Sequence, residues 1–256
     1  MRRPFNRLVT SACLDNTVMK VIFVTGTDTG IGKTVISSAV SAFFSLRKQI
    51  NVGVMKPFEC GLSKTDKDLL PWDAICLREA SGSNDDLNII SPYTLEAPVA
   101  PEVAAMLEHV DLDINLVDKI FQSLKKSHDL LVIEGAGGVL VPIRDNFFFI
   151  DLIQKWNVPT LVVSRLGLGT INHTLLTVHL LKERGIKVLG VILNDTIGLD
   201  DVPTQTNPAI LRKYLLDVPI LGIFPHVKDL IKGNVDREHM ADILAKNIDT
   251  DALLEQ

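Results

Sequence analysis

Six short apolar runs punctuate this chain: Val21–Thr25, Val52–Met55, Leu130–Ile133, Thr160–Val163, Val188–Leu193 and Pro219–Phe224. Each stops at Gly, Asn, Pro or a polar residue, and none alternates apolar with polar. A strand with one face in water alternates, so unbroken β-branched runs predict strands covered on both faces. Segments of helical period lie between them. In Lys33–Lys48 the apolar Val35, Ile36, Ala39, Val40, Phe43 and Phe44 fall on one side of a helix. Ile114–Lys126 does the same with Leu116, Val117, Ile120, Phe121 and Leu124, and Ile171–Arg184 with Leu175, Leu176, Val178 and Leu181 before a stop at Gly185. A shorter pattern covers Asp236–Ala245, and one helix is expected near Asp73–Ser81 within the irregular stretch from Gly61 to Val99. Strand–helix alternation predicts an α/β fold, an open, mostly parallel, doubly wound sheet with helices on both faces.

Composition agrees with that core. Hydrophobic residues are 46% of 256, yet there are only ten Phe, two Trp and two Tyr, so Val, Ile and Leu must fill the interior. No repeat or Gly/Ser linker divides the chain. The expected organisation is a single domain over 19–230, a C-terminal helical tail over 231–256, and an N-terminal extension over 1–18 that is disordered or precedes the native start. Arg2, Arg3 and Arg7 open that extension, but polar residues break Leu8–Asn16, which lacks the roughly 7–15 apolar residues of a signal peptide. No run reaches the ~18–20 apolar residues of a membrane span. Twenty-six Lys and Arg against 31 Asp and Glu leave a net charge of −5, which excludes a strong basic footprint for duplex nucleic acid. Cys13, Cys60 and Cys76 form no CxxC and no even-numbered framework, so the expected compartment is a reducing cytoplasm. The six histidines are scattered and suggest no zinc site.

The first apolar run enters Gly26-Thr27-Asp28-Thr29-Gly30-Ile31-Gly32-Lys33-Thr34, which opens the first helix. Glycines let backbone N–H groups turn toward one centre, and a helix N-terminus adds positive potential there. Lys33 can reach the β- and γ-phosphates of a nucleoside triphosphate, and the Thr34 hydroxyl can ligate Mg²⁺. The general pattern G-x-x-x-x-G-K-[ST] would put its first glycine at Thr27. Here Gly26 stands one place earlier.

In doubly wound sheets ligands sit at the carboxyl ends of the strands. The second run ends in Lys56-Pro57-Phe58-Glu59-Cys60-Gly61. Lys56 fits either a cation that stabilises phosphoryl transfer or a solvated surface lysine. The third ends in Glu134-Gly135-Ala136-Gly137-Gly138, where Glu134 can hold Mg²⁺ or stand incidentally in a glycine-rich turn. Asp73 fits a helix cap or a metal ligand, and spacing does not separate the two. Asn194-Asp195, after the fifth run, can read a base edge or form a turn. The helix start at Gly167–His173 can hold an anion or be a plain cap.

GTDTGIGKT, KPFECG, WDAICL, SPYTLEAPVAPEVAA, IEGAGGVLVPI, LGTINHTLL and VILND occur in this order, and together they resemble the dethiobiotin synthetase family of P-loop NTPases over about residues 19–227. The glycine spacing of the loop is that family's own form. The resemblance implies a cyclo-ligase of biotin synthesis. ATP and Mg²⁺ would drive carboxylation of 7,8-diaminononanoate by CO₂ (or bicarbonate) and ring closure to dethiobiotin, ADP and phosphate, through a carbamate and a carbamic–phosphoric anhydride. By position, Gly30, Ile31, Gly32, Lys33, Thr34 and Val35 would wrap the phosphates. Thr34, Asp73 and Glu134 would hold Mg²⁺, and Lys33 and Lys56 would act on the carbamate and the transferring phosphoryl group. Gly135, Ala136 and Gly137 would lie near the nucleotide, and Asn194, Pro225, His226 and Val227 around the adenine. Thr29, Cys60 and Gly138 would meet the substrate. Gly169, Thr170 and Asn172 would bind its carboxylate from the other subunit of a homodimer. Cys60 departs from the Ser or Thr usual in the family, and a thiol is a weak hydrogen-bonding partner.

Two other functions fit the loop less well. Partition or positioning ATPases of the same superfamily carry an extra Lys where this chain has Thr27 or Asp28, and they need a basic or membrane-binding surface that is absent here. A related amide-forming synthetase of cobalamin-type pathways, without its glutamine-cleaving domain, fits poorly too, since no nucleophilic Cys of an amidotransferase is apparent.

Overall fold

The computed structural model describes residues 20–64, 69–227 and 235–254, so the expected extension over 1–18 lies outside them. All six apolar runs form strands: β1 Lys20–Gly26, β2 Val52–Met55, β3 Leu130–Gly138, β4 Thr160–Arg165, β5 Val188–Asn194 and β6 Ile220–Phe224. They build one sheet in the order β6-β5-β4-β1-β3-β2, and every neighbouring pair is parallel. From the central β1 the chain first builds toward one edge and then toward the other. The switch falls beside the carboxyl end of β1, where open α/β sheets bind ligands.

The helices of eight residues or more among the described residues are α1 Lys33–Arg47, α2 Trp72–Ser81, α3 Pro101–Glu108, α4 Ile114–Ser127, α5 Phe149–Trp156, α6 Thr170–Glu183, α7 Val202–Tyr214 and α8 Arg237–Asn247. They cover both faces. Ile22 and Val24 of β1 pack with α1, α2 and α8, whereas Val21 and Phe23 pack with the layer of α3 to α7. Successive side chains of one strand thus enter two different cores, which is why the runs do not alternate. Each fully buried Phe or Ile of these layers contributes about 1.5–3 kcal/mol.

The C-terminal helix α8 packs Met240, Ala241 and Leu244 into the layer that holds Phe43 and Phe44 of α1. Arg237 at its start donates to the Ala80 and Ser81 carbonyls and to Ser45 Oγ. Three of these eight helices are not marked by an apolar stripe in the sequence, and neither is the single helical turn Leu87–Ile90. Of these, α3 begins at Pro101 in a Pro-rich stretch, α5 follows an aromatic run, and α7 carries Pro203 and Pro208. In α7 the first proline falls in the opening turn, where its missing N–H costs nothing, and Asp201 caps that turn at Thr204 N, 2.9 Å away. Three two-stranded pieces also lie outside the main sheet: Phe58–Cys60 with Tyr93–Leu95, Ser63–Lys64 with Leu69–Leu70, and Pro142–Arg144 with Phe147–Phe148.

Candidate functional site

The loop after β1 makes two left-handed turns, at Gly30 (φ 71°) and Gly32 (φ 86°). Residues with a Cβ adopt that region at a cost of about 1–2 kcal/mol, so the glycines set the path of the loop. A Cβ on Gly32 would also stand 2.1 Å from Asn194 Nδ2. That amide donates to the Ile31 carbonyl at 2.8 Å and ties the loop to the end of β5. Lys33 Nζ donates to the Asp28 carbonyl at 2.9 Å, which wraps the loop around its own lysine. No side chain caps α1, so its first N–H groups remain open to a ligand.

Behind the loop, four segments converge. Thr34 Oγ1 lies 2.9 Å from both Asp73 Oδ1 and Glu134 Oε1. Lys56 Nζ lies 2.7 Å from Asp73 Oδ2, 2.6 Å from Glu134 Oε1 and 3.3 Å from the Gly135 carbonyl. Lys56 is 3% exposed and Glu134 1%, so Lys56 is no surface lysine. Burial alone would neutralise it, but the Glu134 and Asp73 charges outweigh burial and hold it protonated well above the ordinary range. Burial likewise pushes Asp73 up, yet Lys56 outweighs it and holds the carboxylate below its usual value. Lys33 goes the other way. Burial, then the Lys56 charge, lower it to about 8.

Asp73 is not a cap. It stands in the first turn of α2, and the helix is capped by Glu59, whose Oε1 and Oε2 accept from Asp73 N at 2.7 Å and Ala74 N at 3.0 Å. Burial and the neighbouring Asp73 raise Glu59 to about 7. Glu134 Oε2 is buried without a hydrogen-bond partner. An orphaned carboxylate oxygen, a second carboxylate and a hydroxyl within 2.9 Å of both form a donor set that suits a hard divalent cation completed by phosphate and water oxygens. Among the described residues no cluster of three or more His, Cys, Asp or Glu side chains forms an all-protein metal cage.

These groups face a cleft of about 670 Å³. Of the residues expected at the site, Thr29, Gly30, Gly32, Lys33, Thr34, Val35, Lys56, Cys60, Asp73, Glu134, Ala136 and Gly137 line it. Ile31 turns into the core at 2% exposure. A Cβ on Gly135 would press on the Phe23 ring, and Gly138 pairs with Gly26 across the strands. Asn194 and Pro225–Val227 stand at the carboxyl ends of β5 and β6, on the loop's edge of the sheet, and His226 packs over Gly198. Gly169, Thr170 and Asn172 open α6. The Thr170 hydroxyl is buried against Ser164 and Thr174, and Asn172 lines a separate cleft with His179 and Tyr214.

Glu59 and three other contributors have no role assigned to them by the sequence pattern. Trp72 and the Pro98–Pro101 segment complete the cleft wall, and Arg165 pairs with Asp28 of the loop. Glu59, Trp72 and Pro98–Pro101 stand inside motifs that were recognised as wholes, but nothing in residue type shows which member of KPFECG points inward.

A family profile described as an AAA domain matches residues 20–234. The protein of Thermodesulfovibrio yellowstonii named ATP-dependent dethiobiotin synthetase BioD is 40% identical over 240 residues, 91% of this chain and 97% of its own length. The protein of the same name from Methanocaldococcus jannaschii is 43% identical over 214 residues, 82% and 95% of the two chains. Among solved structures, a ParA family ATPase of Chlorobium tepidum superposes with a TM-score of 0.54 at 16% identity, covering 93% of this chain and 100% of the other. The cell division ATPase MinD of Pyrococcus furiosus gives 0.54 at 18% identity, with 93% and 96% covered. At such identities the likeness is one of fold, a P-loop sheet with flanking helices.

Proposed function

The chain belongs to the family of ATP-dependent dethiobiotin synthetases, and on that footing we propose that it carboxylates and cyclises 7,8-diaminononanoate at the cleft behind the phosphate loop. One amine adds to CO₂ and loses a proton, giving a carbamate. A carbamate oxygen takes the γ-phosphoryl group of ATP and releases ADP. The second amine then attacks the carbamoyl carbon and loses a proton, the C–O bond breaks with phosphate as the leaving group, and the ureido ring of dethiobiotin closes.

The observation that carries this reading is the convergence of Lys33, Lys56, Thr34, Asp73 and Glu134 on one cleft that Thr29 and Cys60 also line. Phosphoryl transfer needs mainly positioning and charge neutralisation. Lys33 and the open N–H groups of α1 would bind the phosphates, and Lys56, fixed between two carboxylates, would stabilise the charge that develops on the carbamate oxygens. Thr34, Asp73 and Glu134 would hold Mg²⁺, which when bound neutralises the phosphate oxygens. Two cationic lysines beside the diamine disfavour its ammonium forms and so favour the neutral amine that adds to CO₂.

The same reading gives Asn194 and Pro225–Val227 to the adenine. It makes the working protein a cytoplasmic homodimer in which Gly169, Thr170 and Asn172 of one subunit bind the substrate carboxylate at the other subunit's cleft, together with Gly138. Among the described residues no helix is long and apolar enough to cross a membrane. The test is phosphate release from ATP with Mg²⁺ and bicarbonate. Release is expected to depend on the diamine and to yield one dethiobiotin per phosphate. ADP formation at the same rate without the diamine overturns the proposal.

A further inference from the structure

Helix α2 starts without a cap of its own. The residue before it is Pro71, which offers no side-chain acceptor, and the N–H groups of the first turn would otherwise stand unpaired in a buried setting. Both oxygens of Glu59 take up that role from a neighbouring strand, one on Asp73 N and one on Ala74 N. These are the second and third helical positions, the ones a local capping residue serves. Glu59 is 4% exposed, so no water competes for the contact. A carboxylate there also meets the positive end of the helix.

The cap does more than end a helix. Asp73 is held at its backbone by Glu59 and at its side chain by Thr34 and Lys56. Its carboxylate direction is therefore set from both ends. We infer that Glu59 is a positioning residue, a helix cap supplied from a neighbouring strand of the same chain that aims the Asp73 carboxylate into the cation-binding corner of the cleft. The inference rests on the proposed function, in which Asp73 is one of the Mg²⁺ ligands. Glu59 does not line the cleft, and it reaches the cation-binding corner through the first turn of α2, where it holds Asp73 and Ala74.

The experiment measures ADP affinity calorimetrically across a Mg²⁺ series for the full chain and for Glu59→Ala, Glu59→Gln and Asp73→Asn. A residue that orients a metal ligand typically changes metal affinity about 10–100-fold when removed, so Glu59→Ala should raise the half-saturating Mg²⁺ concentration about tenfold while ADP affinity in EDTA stays the same. Glu59→Gln keeps one amide oxygen for one N–H and should give a smaller shift. Cap loss should also lower Tm by about 2–6 °C. A lower Tm with an unmoved Mg²⁺ midpoint, while Asp73→Asn does move it, overturns the inference and leaves Glu59 a purely structural cap. Unmoved midpoints in both Glu59→Ala and Asp73→Asn refute the metal role of Asp73, and the inference falls with it. If Glu59→Ala does not fold, Glu59→Gln is judged by the same midpoint.

Discussion

Cys60 lines the cleft one residue beyond Glu59, and its thiol is not poised for reaction. Burial raises it to about 11 and outweighs the nearby Lys56 charge, which pulls down. A folded value above the ordinary 9 means that the thiol contributes stability below pH 9 and loses it as pH rises from 9 toward 11. Iodoacetamide labelling of Cys60, followed by peptide mass spectrometry, should gain about tenfold per pH unit between roughly pH 8 and 10 in the native protein. In denaturant the rate should level off near pH 9. A native rate that is already flat by pH 8 would show an activated thiolate instead. The other residues of the site divide by what their neighbours in sequence reveal. Lys33 and Thr34 are legible because loop and helix start are contiguous. Lys56, Asp73 and Glu134 carry two readings each, because the bonds that decide them join residues 39, 78 and 100 positions apart.

The phosphate loop and β5 form a coupled pair of elements, joined through Asn194 and the Ile31 carbonyl. Gly32→Ala should break that coupling twice over. It places a Cβ in a left-handed backbone (φ 86°) and drives it against Asn194 Nδ2. Strain of about 1–2 kcal/mol and an unpaired buried amide worth about 1–3 kcal/mol should together destabilise the fold by roughly 2–5 kcal/mol. Urea unfolding checks this, and ADP binding should be lost in the same variant. An unchanged urea midpoint would mean that the loop relaxes freely. The six strands were readable because each is a single apolar run, and the long α1, α4 and α6 because their stripes repeat over several turns. Shorter helices such as α3 and α5 offer two turns or so, too few for a stripe to stand out from a loop. The pairing of Phe58–Cys60 with Tyr93–Leu95 depends on distant residues meeting, which no local pattern encodes.

For the whole molecule, net charge says little about function. In the proposed reading the anions would be met by Lys33, Lys56 and open helix ends, while the net charge of the whole chain is −5. The proposed sharing of one cleft by two subunits has a direct consequence. Lys56→Met should lose turnover by about 100–1,000-fold, and Asn172→Asp should repel the substrate carboxylate across the subunit boundary. Mixed and allowed to exchange subunits, the two inactive variants should recover about a quarter of wild-type turnover, because each hybrid dimer carries one site free of both changes. No recovery on mixing would place Asn172 in its own subunit's chemistry or in none. A mostly parallel sheet was predictable from the sequence, but the strand order was not, since register follows packing on both faces. Lys20, the first residue of β1, donates to the Leu254 carbonyl, so the chain's first and last described stretches are stitched together. They meet at the amino edge of β1, opposite the edge where the phosphate loop emerges. Topologically the domain is then nearly a ring, and its opening can be moved to an exposed loop without shifting the catalytic edge. Cargo fused near either stretch would hang on the side of the sheet away from the phosphate loop.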